Sequence, residues 1–222
     1  MIYIKHICFA IVILAYFLSE NNLAYADDYL KGINTCQYTE SDPISYDEIR
    51  KQAISGCSLR SADKVDTKLI DMLISIEKAH ALPPSVRGLL LAASCSESGY
   101  NPRARGDWRK NKTTGRRYPK AYGLLQFWPW AKKYIDRDDP GQSANFWLKR
   151  IKKQIPHVRK RCKFRNTRKI WFAAHVTAVR APKKSGRCYE KSRHHQLLMR
   201  WHKSIARDRT ACWKQLLKGD GC

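Results

Sequence analysis

Acidic residues are scarce in this chain. Its 222 residues hold 19 Asp and Glu against 43 Lys and Arg, a formal net charge of +24. That balance argues against cationic partners and for anionic ones, which long-range attraction concentrates near such a surface. Other absences narrow the class further. No Cys-x-x-Cys pair occurs, and no His is spaced against Cys as in a zinc module, so a structural zinc site is not expected. Nothing in the sequence calls for a cofactor. There is no internal repeat, which excludes a solenoid. No long stretch alternates apolar and polar residues, which argues against a sandwich or barrel.

One uninterrupted apolar run is present, Ile7 to Leu18, preceded by Lys5 and His6. It is too short to span a bilayer comfortably. Ala24-Tyr25-Ala26 follows, with small residues at both positions that a signal peptidase reads. The expectation is a secretory signal peptide over 1–26, cleaved after Ala26, leaving no transmembrane anchor. No Cys stands at the cleavage site, so a lipid anchor is not expected. The mature chain is then exported, periplasmic or secreted.

The positive charge is concentrated in one half. Residues 27–97 carry 8 basic and 11 acidic side chains, whereas residues 98–222 carry 34 and 7. Anionic envelope polymers and extracellular DNA are the candidate partners for that second half. A merely solubilising surface is the plain alternative. Seven Cys remain after the leader is removed: Cys36, Cys57, Cys95, Cys162, Cys188, Cys212 and Cys222. In an exported protein they read as structural staples, up to three bridges with one thiol left over.

Helical periodicity accounts for most of the remainder. Residues 27–62 form a polar N-terminal segment, expected to be extended or loosely helical and tied down through Cys36 and Cys57. Val65, Leu69, Met72, Leu73, Ile76 and Ala79 make one apolar stripe, with Asp63 or Asp66 placed to cap it. Pro83 and Pro84 stop that helix and open the next, since Pro suits a first turn. The second helix, Val86 to Ala93, is apolar nearly all round and belongs in the core. Gly99 and Asn101-Pro102 end it. Residues 103–121 read as a basic loop. Further helices are expected near Pro129, near Ser143, over Lys169–Val179 and around Leu197–Ile205. The fold class is therefore all-α or predominantly α, disulfide-stapled, with the domain over 63–222.

Glu97 is the unusual residue. It stands at the C-terminal end of the apolar helix, desolvated on one side and within the partial negative charge of the helix end. That is the setting in which a carboxylic acid serves as proton donor, the role of the general acid in glycoside cleavage. A glutamate that merely caps the helix or pairs with an Arg is the alternative reading.

Three motifs in order add to this. They are Glu97-Ser98-Gly99, Asn101-Pro102-Arg103-Ala104 and Gly123-Leu124-Leu125-Gln126, after a Leu82-Pro83-Pro84 entry. Over roughly residues 66–134, and more weakly to 180, the chain resembles the SLT-type soluble lytic transglycosylases with a goose-lysozyme-like fold. The resemblance implies a lysozyme-like domain that cleaves the MurNAc-GlcNAc bond of peptidoglycan glycan strands. Glu97 matches the family's acid/base, and Ser98 the neighbour that helps hold substrate. Gly123, Leu124 and Gln126 match the segment lining the sugar cleft. A turn glycine and a core leucine are the plain alternatives for Gly123 and Leu124. Tyr122, Phe127, Trp128 and Trp130 are candidates for a sugar-stacking wall. One departure stands out. Where the family carries Ala-Ala-Tyr-Asn-Ala-Gly, whose Tyr bonds the catalytic Glu, this chain has Ala173-Ala174-His175-Val176-Thr177-Ala178. His175 is the candidate partner of Glu97 there, or else a helix-face histidine.

Hydrolysis usually needs a second carboxylate. Between Glu97 and Asp136 the one acid is Asp107, which can equally pair with a loop Arg. A lone carboxylate favours the transglycosylase route, in which the sugar's own 6-hydroxyl attacks and a 1,6-anhydro product forms. A hydrolytic lysozyme using Asp107 and a non-catalytic basic glycan- or polyanion-binding protein are the alternatives. A specific nucleic-acid binder leaves the three motifs unexplained.

Overall fold

A computed structural model describes residues 42–57, 59, 64–179 and 193–218; the side chains of 175–179, 213 and 215–218 lie outside that description. The leader, residues 1–26, lies outside it too. Among the described residues there are six α-helices: α1 Tyr46–Ser55, α2 Thr67–Ala79, α3 Leu89–Ser98, α4 Pro140–Cys162, α5 Thr167–Val179 and α6 Arg193–Lys218. The predominantly α expectation holds.

Contacts divide the chain into two compact units. One is Pro43–Ile205; the other comprises Met1–Asp42 and Ala206–Cys222. Of the latter, Asp42 and the C-terminal part of α6 are described, joined by Arg209 Nη1 donating to the Asp42 carbonyl at 2.9 Å.

Local chemistry explains the helix starts. Ser45 and Glu48 form a reciprocal capping box at α1. The polar N-terminal segment thus contains a well-made helix, whose Ile49 and Ala53 are buried. At α2 the cap is Asp66, whose side chain accepts from the amides of Lys68 and Leu69. The third helix begins later than the prolines imply. Pro84–Val86 forms only a 3-10 turn, Gly88 adopts the left-handed conformation (φ +86°), and α3 starts at Leu89. Gly88 also leaves no room for a side chain: a Cβ there would press on Ile49 and Leu198.

Helix α3 is the centre of the unit. Every residue from Leu89 to Ser96 is buried, as its all-round apolar sequence requires. Helices α1 and α2 pack on it, α2 also meets α4, and α4 pairs extensively with α5. Cys57, just past α1, is disulfide-bonded to Cys95 of α3, with Cα atoms 5.7 Å apart. Cys162 and Cys212 are each disulfide-bonded as well.

Residues 103–121 are not a simple loop. Arg105–Gly106 (β1) pairs antiparallel with Ala121–Tyr122 (β4), and Arg109–Lys110 (β2) with Arg117–Tyr118 (β3), making a nested hairpin. At its tip the Asn111 side chain accepts from the amides of Thr113 and Thr114. Its base is clamped by the segment before α4. Arg105 forms a two-pronged ion pair with Asp138 at 2.8 Å, and Arg137 donates to the Phe127 carbonyl at 3.1 Å.

Candidate active site

Helix α3 delivers Glu97 one residue before its end. The helix stops because Gly99 (φ +58°) and then Tyr100 (φ +61°) turn left-handed. A Cβ on Gly99 would meet the Leu59 backbone, and its φ is one that side chains disfavour. The disulfide at Cys95 anchors the turn that carries Glu97. The Glu97 side chain is not enclosed: 33% of it remains exposed.

Its partner is a residue that local sequence did not indicate. His194 Nε2 lies 2.8 Å from Glu97 Oε1, and the His194 side chain is only 7% exposed. His194 sits in the first turn of α6, 97 residues from Glu97. Periodicity gives no reason to single it out, and the Ala173-Ala174 context drew the expectation to His175. The side chain of His175 lies outside the described residues.

The other motif residues serve first to build the turn beside the hairpin. Ser98 Oγ donates back to the Ser94 carbonyl at 3.0 Å, within the helix. Leu124 is fully buried in the core, so its role is packing rather than lining a cleft. Gly123 is needed for two local reasons. Its φ is +77°, and a Cβ there would collide with the Arg137 carbonyl. Gln126 turns its amide inward, donating from Nε2 to the Gly123 carbonyl at 2.8 Å. Tyr122 and Phe127 exchange backbone hydrogen bonds across this turn, and Gly123 N–H donates to the Ala104 carbonyl. The motif segment is thus bound, at Ala104, to the stretch that leaves α3.

The aromatic residues divide by environment. The Tyr122 ring already carries two guanidinium groups, Arg105 at 4.5 Å and Arg137 at 4.1 Å from its centroid. Stacking a sugar on that ring would displace one of them. Trp130 packs against Phe127 and Phe146 under Arg150. Trp128 is different: 41% exposed, with its indole N–H donating to Asp107 Oδ2 at 2.7 Å. Asp107 therefore holds an exposed aromatic ring, rather than pairing with a loop Arg.

A further carboxylate lies at the opposite end of α3. Glu77 of α2 is fully buried, and its Oε1 accepts from the Gly88 amide at 2.6 Å. Burial pushes its carboxyl up to about 8, against the pull of the Gly88, Leu90 and Leu89 amides and of Arg87. Tyr46 and Tyr100, both also pushed up chiefly by burial, feel the same group. Sequence reading passed over Glu77 because an acid on a helix usually faces solvent. The signal was its spacing, four residues after Leu73 and eight after Leu69, on the buried face of α2.

Among the described residues, no group of three His, Cys, Asp or Glu side chains is placed to hold a metal ion. The arrangement at Glu97 offers a carboxyl with one oxygen bonded to a buried imidazole and a third of the side chain open to solvent. Such a group can give and take a proton. Comparisons with protein-family models, with curated proteins and with solved structures returned no match to the chain.

Proposed function

We propose that this chain is an exported lytic transglycosylase with a lysozyme-like helical domain, cleaving the MurNAc-GlcNAc bond of peptidoglycan. Glu97 is the acid and then the base. In the first step the Glu97 carboxyl protonates the glycosidic oxygen as the bond from the sugar C1 breaks. In the second, the Glu97 carboxylate takes the proton of the same sugar's 6-hydroxyl as that oxygen bonds to C1. The product is a 1,6-anhydro sugar, Glu97 regains its proton, and no water is consumed.

The observation that carries this reading is the setting of Glu97: a carboxyl at the end of a buried helix, one oxygen held and the side chain partly open. A secondary observation favours the transglycosylase over a hydrolase. The Asp107 carboxylate is engaged with Trp128, so it is less suited to activate water or to attack the sugar. Partner charge fits as well. Helices α4 and α5 contain no acidic residue, and Lys149, Lys152, Lys153, Arg159, Lys160 and Arg161 are exposed along α4. That face would hold the enzyme to anionic envelope polymers near its substrate.

Mass analysis of products from purified peptidoglycan tests the proposal. Anhydro ends support it. Reducing ends would move the assignment to a lysozyme, and no products from a folded protein would move it to a non-catalytic glycan- or polyanion-binding protein.

A further inference from the structure

We infer that His194 is the positioning residue of this site: its Nε2–H holds Glu97 Oε1 and so directs the transferable proton to Oε2. The inference rests on the glycan-cleavage reading of Glu97 and assigns to His194 a role in that reaction.

The geometry separates the two partners. His194 is buried where Glu97 is partly open, so the imidazole acts through the carboxyl and not on the sugar. Its ring is carried by a helix end that the core pins down. His195 stacks on Phe172 of α5, centroids 3.7 Å apart at 10°. Leu198 and Trp201 are buried, and His202 bonds the Arg87 carbonyl at 3.0 Å. A histidine held this way has little freedom to follow a ligand, whereas a glutamate has three rotatable bonds. Fixing Glu97 in advance removes rotamer freedom that catalysis would otherwise have to overcome.

The same contact serves both steps. A neutral imidazole carries one N–H. With that proton on Nε2, the bond to Oε1 persists whether Glu97 is a carboxylic acid or a carboxylate. Oε1 is then never the protonated oxygen, and Oε2, which has no partner among the described residues, both delivers the proton to the leaving oxygen and collects it from the 6-hydroxyl. No tautomer change is required between the steps.

The test uses the full mature chain on soluble glycan strands released from purified peptidoglycan. His194→Ala is expected to lower kcat about 100-fold with KM within about twofold, the scale of a small misplacement of a catalytic group. His194→Gln, which can still donate to Oε1, is expected to recover at least tenfold of that loss at an unchanged thermal midpoint. A His194→Ala variant within twofold of wild type, or Gln and Ala variants equally impaired, would overturn the inference. Nitrogen NMR of histidine-labelled wild-type protein reads the donor without any substitution at 194. A His194 Nε2 that carries a proton at neutral pH, with a resonance that shifts in Glu97→Ala, is expected; an unprotonated Nε2 overturns the inference. Failure of the underlying reading is distinguishable, because then either the wild-type chain releases no product or Glu97→Gln releases as much as wild type.

Discussion

Helix α3 has a carboxylate at each end, and the two are handled in opposite ways. At its start, Glu77 of α2 is fully buried and faces backbone amides that would otherwise lack partners. At its finish, Glu97 keeps a third of its side chain exposed and meets one imidazole. The first is positioned to hold the helix, and the second is the carboxyl that the proposed reaction would use. Full burial closes the first off from any ligand, and partial burial beside a fixed partner leaves the second within reach of one. An acid's place along the chain does not distinguish these cases; its access to solvent does.

That contrast can be broken by experiment. The largest effect is expected at Glu97. Glu97→Gln should lower glycan cleavage by at least about 1,000-fold while leaving the unfolding midpoint unchanged, measured by product release and by calorimetry. Retained cleavage would remove Glu97 from the chemistry.

Next comes the bond that anchors α3 to the end of α1. Replacing Cys57 and Cys95 together by Ser should destabilise the domain by about 4 kcal/mol, from the loop entropy of a 38-residue separation. Denaturant unfolding measures it, and an unchanged midpoint would make the staple dispensable.

Glu77 should reveal itself through pH. Its carboxyl is raised to about 8 in the folded chain from a usual 4.5, so the native state binds the proton more tightly than the unfolded state does. The resulting stability is fully present below pH 4.5 and is lost as pH rises towards 8. From pH 5 to 8 the loss attributable to this group is about 3 kcal/mol, at roughly 1.4 kcal/mol per tenfold change in proton affinity. Glu77→Gln, which keeps an oxygen for the Gly88 amide, should flatten that slope. A slope unchanged in the variant would assign it to another group.

The smallest effect is expected at Asp107. Asp107→Asn retains an acceptor for the Trp128 indole and should leave cleavage within about threefold of wild type. A loss of about 100-fold or more would restore Asp107 as a second catalytic acid and favour hydrolysis.

Sequence and structure agree where local signals decide. The α2 stripe, its Asp66 cap and the glycine end of α3 were legible because each rests on a few neighbouring residues. The hairpin was not. Its strands are two residues each, too short to show any period, and their pairing is stabilised by clamps from Arg105 to Asp138 and from Arg137 to Phe127. The start of α3 was placed too early because Pro83 and Pro84 begin only a 3-10 turn, while Gly88 and the Glu77 carboxylate set the true first turn. Leu124 looked like a cleft residue through its motif and proved to be core, since three-dimensional burial is not written in a four-residue pattern.

What the sequence alone determined is the helical class and the basic second half, and it singled out Glu97 as the candidate acid, all from composition, period or motif order. Tertiary structure alone decided the company Glu97 keeps. His194 reaches it across 97 residues because α6 is pinned to the core by Leu198, Trp201 and the His195–Phe172 stack. A contact made by helix packing between distant segments leaves no trace in local sequence.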